Sequence, residues 1–296
     1  MNMTNETNDI QETFNLGDHV HRLLINEPFF ASLSRRIDKK INTGIPTAGV
    51  RVNPASAQFE LSYNPAFFAK LSDEERTGVL VHEFYHLVFE HVTGRLPDEL
   101  AGIMSVDPRS VSKDKAGLFK LWNIAADLSI NCLIGRSRLP ENCCYPGEGP
   151  FAELPAEQTA EWYFEKLKEM QEEQGQGEGQ GEGGEGGEGG DGTGSGGFDP
   201  DNCGQFDDHG DWGEGDEISD AANQIAKERL KEAMQKAAED ASKSRNWGTI
   251  SASCQREILE RLTSKVDWRK VLRYFVKTSQ RANKRSTVRR LNKRYP

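Results

Sequence analysis

Between Gly175 and Gly197 fourteen residues are glycine, and all the others are Glu, Gln, Asp, Ser or Thr. Such a tract carries too little apolar surface to offset the entropy lost on ordering it. It behaves as a flexible, self-repelling connection, so any core has to be assembled from what lies before and after it. The expected organisation is a flexible start over 1–11, a main domain over 12–170 and an acidic, Gly-rich disordered linker or loop over 171–216. A helical region over 217–280 is expected to pack on the domain, followed by a basic tail over 281–296. A hydrophobic share of 35% and a mean hydropathy of -0.70 fit a chain that keeps part of its length outside the core.

The formal net charge of -10 hides a segregation. Residues 171–220 hold 16 Asp or Glu and no Lys or Arg, whereas 265–296 hold 12 Lys or Arg against one acid, Asp267. The basic end suits an acidic partner, or the acidic linker of its own chain. Aromatics are few there, which argues against stacking on bases, so nucleic acid is not expected as a partner. The stretch FDPDNCGQFDDHGDWGEGDE lacks the spacing and closing Glu of a calcium loop and reads as a solvated acidic loop. A sharper alternative folds Cys203 or His209 back onto the metal site described below. The N-terminus has no apolar signal core, and no apolar run reaches membrane-spanning length. Five cysteines, odd in number and without CxxC spacing, indicate neither a disulfide framework nor a cysteine zinc site. A cytoplasmic location, away from membranes, is expected.

Residues 12–42 read as helical, with Leu23, Leu24, Phe29, Phe30 and Leu33 as core and Ile37 and Ile41 extending that face. GVRVNP and FELSYNP read as two short strands closed by Asn-Pro, either a hairpin or two edge strands. Ser72 followed by Glu75 is a capping box, and Gly94 suits a C-terminal cap; together they predict a helix over about 73–93. LFKLWNIAADLSINCLI, closed by Gly135, predicts a second helix and TAEWYFEKLKEMQEE a third. Beyond the glycine tract, ISDAANQIAKERLKEAMQKAAEDASKS and CQREILERLTSKVDWRKVLRYFVKT predict further helix. The fold class is α+β, mostly α, with a short strand hairpin ahead of the helix at 73–93.

That helix contains Val81-His82-Glu83-Phe84-Tyr85-His86, three polar groups in an apolar run. Residues four apart on a helix share a face with Cβ atoms about 5–6 Å apart, so His82 and His86 can present two imidazole nitrogens to one point. Glu83 lies next to them, too far round to be an equal ligand but able to reach a metal-activated water. This is the arrangement of HExxH sites: two zinc ligands and one general base. The plainer alternative is a pair of core histidines satisfied by neighbouring groups, although burial among Val79, Leu80, Val81 and Leu87 makes unpaired imidazoles costly. A catalytic zinc takes a third protein ligand. His91 lies about 140° round a continuous helix from His86, a poor position unless the helix breaks early; otherwise it is an exposed or supporting histidine. Asn123, Asp127 and Asn131 recur every four residues on the apolar second helix. Asp127 is the expected third ligand, with Asn131 or Asn123 supporting a ligand from behind. A hydrogen-bond network without metal is the alternative there.

The run LSYNPAFFAKLSDEERTGVLVHEFYHLVFEH, then LWNIAADLSINCLI and later VDWRKVLRYFV, resembles a metallopeptidase-domain family of bacteria and phages, HExxH and zincin-like. In that family a von Willebrand factor A-like domain usually follows the peptidase-like part. The resemblance implies a zincin-like fold, Zn2+ at His82 and His86, and Glu83 as catalytic base. The general plan is also similar to gluzincins, whose acidic third ligand comes from a second helix; here that acid is Asp127. The A-like domain is expected to be absent, because the sequence reaches NKRYP about where it would begin and no DxSxS-type metal motif is recognised. The expected activity is zinc-dependent peptide hydrolysis on a protein or peptide substrate, with Tyr85 and Tyr63 as unassigned candidates for an oxyanion. The competing expectation is a zinc-binding scaffold or adaptor without turnover.

Overall fold

The computed structural model describes residues 15–100, 111–177 and 220–263. Helix α1 (Leu16–Leu23) starts at Asn15, whose side chain accepts from the Gly17 N–H. Helix α2 (Pro28–Ser34) starts on a proline, which lacks the N–H that a first turn leaves unused. The helical reading of 12–42 fails beyond it. Asp38–Ile41 form strand β1, and Ile41 is 60% exposed, although Ile37 is buried as expected. The reason lies in strand β3 (Phe59–Tyr63): β1 pairs with it in parallel and satisfies an edge that would otherwise be open. Strand β2 (Ala48–Val52) pairs with the other edge of β3, antiparallel, with Val50 opposite Leu61. The expected hairpin is therefore present as β2 and β3, but of these two strands only β2 is an edge, because β3 is central. The sheet order is β1-β3-β2, and every residue of β3 is buried.

One buried charge sits on that central strand. Burial would raise the Glu60 carboxyl, but Lys40, Asn53 and Arg51 outweigh it and hold the group below the usual range. Each edge strand thus supplies a cation, Lys40 from β1 and Arg51 from β2, to the carboxylate on the middle strand.

Helix α3 (Pro65–Lys70) leads through the Ser72 capping box into helix α4 (Asp73–Val88). Eleven consecutive residues of α4, Gly78 through Val88, are buried. Gly78 explains how deeply the helix sits. A Cβ there would lie 1.8 Å from the Arg138 carbonyl oxygen, so this turn of helix rests directly on backbone. Gly78→Ala is expected to force the two apart and to destabilise the protein by about 1–3 kcal/mol, the usual cost of overpacking. Thermal melts of the two forms would measure it, and an unchanged Tm would refute the contact.

Helix α5 (Lys113–Ile134) is capped by Ser112 and closed by Gly135. Helix α6 (Ala160–Gly177) packs against it, with Trp122, Leu128, Phe151, Tyr163, Phe164 and Leu167 as shared core. Its last turns enter the segment read as linker, and the rest of that tract lies outside the described residues. Helix α7 (Asp220–Ser244) packs on α2, and Trp247 stacks on Phe29 at 5.5 Å. Helix α8 spans Ala252–Thr263. By packing, the chain divides into Met1–Gln255 and Arg256–Pro296; in the second unit, described residues 256–263 are helical. The basic tail over 281–296 lies outside the described residues. The described part is mostly helical with one small sheet, an α+β fold, and no helix of it is long and apolar enough to cross a membrane.

A DxSxS string does occur, contrary to expectation, at Asp240-Ala241-Ser242-Lys243-Ser244. It forms the end of α7. The Ser244 hydroxyl donates to the Asp240 and Ala241 carbonyls, and Asp240 Oδ2 accepts from Ser32. These groups are committed to closing a helix and holding it on α2.

Candidate metal centre

The site is built where α4 crosses α5. His82 and His86 are one turn apart on α4 and fully buried, and their Nε2 atoms approach to 3.0 Å. Asp127, on the buried face of α5, brings Oδ1 to 3.3 Å from His86 Nε2 and 3.6 Å from His82 Nε2. Among the described residues these three form the group of His, Cys, Asp and Glu side chains able to hold a metal ion, with donor atoms all within 4.8 Å of one another.

The protons can be placed by elimination around His82. A carbonyl only accepts, so the Asn131 amide must turn its nitrogen toward the Cys144 carbonyl, at 2.7 Å. Its oxygen then faces His82 Nδ1 at 2.8 Å, and that nitrogen must carry the ring proton. His82 Nε2 is left with a lone pair aimed at His86 Nε2 and Asp127. Three electron-rich atoms converge in a buried space, an arrangement that a cation between them stabilises.

The distances fit a metal. Zinc binds imidazole nitrogen and carboxylate oxygen at about 2.0–2.2 Å, and in a tetrahedral set the ligand atoms then lie about 3.3 Å apart. The three separations, 3.0, 3.3 and 3.6 Å, bracket that value. Two neutral imidazoles and a carboxylate also suit a divalent ion of intermediate softness.

Helix α4 ends five residues before the expected stop. Phe89 caps it, and Glu90 adopts a left-handed conformation (φ 63, ψ 21) that costs a non-glycine residue about 1–2 kcal/mol. The chain folds back as a 3-10 turn, His91–Thr93, which Gly94 closes at φ 109. His91 is therefore 1% exposed rather than at the surface, and its Nδ1 lies 3.1 Å from His86 Nδ1. Asn123 is 7% exposed, one turn before Asp127, and its Oδ1 takes no hydrogen bond among the described residues. Glu83 is fully buried on α4 next to His82.

A family model described as "Putative metallopeptidase domain" matches residues 15–295. The chain belongs to that family. No curated protein and no solved structure matches it. In this member of the metallopeptidase-domain family the tyrosines weighed for an oxyanion are engaged elsewhere. The Tyr63 hydroxyl accepts from the Leu16 N–H, and the Tyr85 hydroxyl lies against Cys254 Sγ, its pKa raised well above normal chiefly by burial. Cys132, Cys143, Cys144 and Cys254 form no disulfide among the described residues. Cys143, close enough to feel the charge of Asp127, is pushed up to about 11 mainly by burial and so stays a thiol near neutrality. Cys203 and His209 lie outside the described residues.

Several supporting groups carried no mark in the sequence: the Cys144 carbonyl, the close contact at Gly78 and the contact of His91 with His86. The first two depend on backbone brought in from 136–144. The third depends on a left-handed residue at Glu90, which no glycine or asparagine advertises.

Proposed function

We propose that His82, His86 and Asp127 hold one zinc ion and that the protein is a zincin-like hydrolase of peptide bonds. The observation that carries this reading is the convergence of the three buried donors at 3.0–3.6 Å, with the His82 lone pair directed among them by Asn131. Zinc in such a site supplies a Lewis acid for a carbonyl oxygen and lowers the pKa of a water toward about 7. The chain's own residues do the rest. Asn131 orients His82, and Asp127 supplies the negative charge that balances the ion. Glu83 acts as general base, taking a proton from the attacking water and returning it to the departing amine.

Two features of the fold support a peptide as substrate. Strand β2 packs against α4 and the turn at His91, and it is an edge of the sheet among the described residues. An extended peptide can pair with such an edge through main-chain hydrogen bonds, which places a scissile bond beside α4 without demanding a particular sequence. The carboxylate ligand from a second helix, α5, is the gluzincin-like part of the plan.

Elemental analysis of freshly purified protein tests the proposal. One zinc per chain is expected, with none retained in His82→Ala or Asp127→Ala, and wild-type protein should cleave a quenched-fluorescent peptide library. Absence of stoichiometric metal from wild type would end the proposal.

A further inference from the structure

We infer that His91 is a positioning residue for the metal: its Nδ1 accepts a hydrogen bond from the Nδ1–H of His86 and so fixes which nitrogen of His86 faces the ion. The inference rests on the reading that His82, His86 and Asp127 hold a metal.

Two ring nitrogens 3.1 Å apart attract only if one carries a proton and the other does not. His86 Nε2 faces His82 Nε2 and Asp127 Oδ1, so it is the nitrogen that must offer a lone pair to a metal. A neutral imidazole has one N–H, and in His86 it is therefore on Nδ1. The His91 Nδ1 atom must be the acceptor, with its own proton on Nε2. The same logic holds for His82, where the acceptor is the Asn131 oxygen. The two ligands are thus held from behind by different groups, an amide and an imidazole, and the imidazole is the stronger base. A ligand whose outer N–H is bonded to a good acceptor binds metal more tightly, and losing that acceptor typically costs 10–100-fold in affinity.

The surroundings hold His91 to this task. Its ring stands edge-on to Trp122, with centroids 5.9 Å apart and planes at 79°, and lies 6.0 Å from the Phe89 ring. The left-handed Glu90 turns the chain back so that the ring reaches His86 at all. From the far side of the glycine tract, Asn223 of α7 donates to the Thr93 carbonyl at 3.3 Å and so holds the same turn. His91 is not in the donor group itself. It faces the outer nitrogen of His86, not the point where the three donors meet.

Zinc affinity of the full chain, measured by competition with a chromophoric chelator, tests this in His91→Asn and His91→Leu. The two replacements are alike in size, but only asparagine places an acceptor oxygen where Nδ1 stands. Asparagine is expected to keep affinity within a few-fold of wild type, and leucine to lose roughly 10–100-fold. The visible spectrum of the cobalt(II)-substituted protein should be alike in wild type and His91→Asn. If His91 were a ligand, both variants would lose affinity together and the cobalt spectrum would change in both, overturning the inference. Equal affinity in His91→Leu and wild type would also overturn it. Should His91→Leu not fold, His91→Phe, which keeps a ring without an acceptor, is held to the same expectation. A wild type that takes up no zinc removes the underlying reading and this one with it, whereas a wild type that binds zinc while the leucine form binds equally removes this one alone.

Discussion

Glu83→Gln is expected to reduce peptide hydrolysis by roughly 100- to 10,000-fold while leaving the metal in place, because a positioned general base contributes about that much. The substitution is nearly isosteric, so the buried face of α4 keeps its shape, but an amide cannot take a proton from water near neutral pH. Metal retention follows from the geometry: the donor group consists of His82, His86 and Asp127, and Glu83 is not among them. A loss of that size corresponds to about 3–5 kcal/mol of transition-state stabilisation. The measurement is turnover of a cleaved library peptide together with the zinc content of each form. Full activity in Glu83→Gln would remove Glu83 as base. Zinc bound equally by both forms, with cleavage by neither, would instead favour the scaffold reading.

Some of this was legible from residue spacing and some was not. The pairing of His82 with His86 follows from helix periodicity, and a capping box at Ser72 and Glu75 locates the start of that helix to the residue. Asp127 and Asn131 followed from a polar stripe on a helix otherwise apolar enough to be buried, since a carboxylate there needs a partner. What spacing could not give was anything settled by tertiary pairing. Asp38–Ile41 reads as helix because Ile37 and Ile41 are four apart, yet the open edge of β3 claims it as strand. The helix holding the histidines looks continuous to Gly94, yet it breaks at Glu90, and the sequence offers no glycine there to say so. Asn123 and Asn131 are indistinguishable by period; the Cys144 carbonyl selects Asn131 for His82, and that carbonyl arrives from a loop.

Removal of the metal by a chelator is expected to lower the Tm by roughly 10 °C, and Asp127→Ala should abolish that difference. The site is assembled from two helices 41 positions apart in the chain, His86 to Asp127, so the unfolded chain offers no equivalent of it. A ligand that binds only the folded state stabilises it by about 4 kcal/mol when present at a thousand times its dissociation constant. For a chain of this size each kcal/mol shifts the Tm by about 2–4 °C. Asp127→Ala leaves two imidazoles, too few donors for tight binding, so added zinc should no longer raise its melting temperature. Its metal-free form should melt close to the metal-free wild type, because deleting the carboxylate also removes its repulsion with two converging lone pairs. Melting curves of both forms with zinc and with chelator separate these effects. A wild-type Tm indifferent to chelator would mean that the three donors share a proton and not a metal, and a zinc response surviving in Asp127→Ala would transfer the third ligand to another residue.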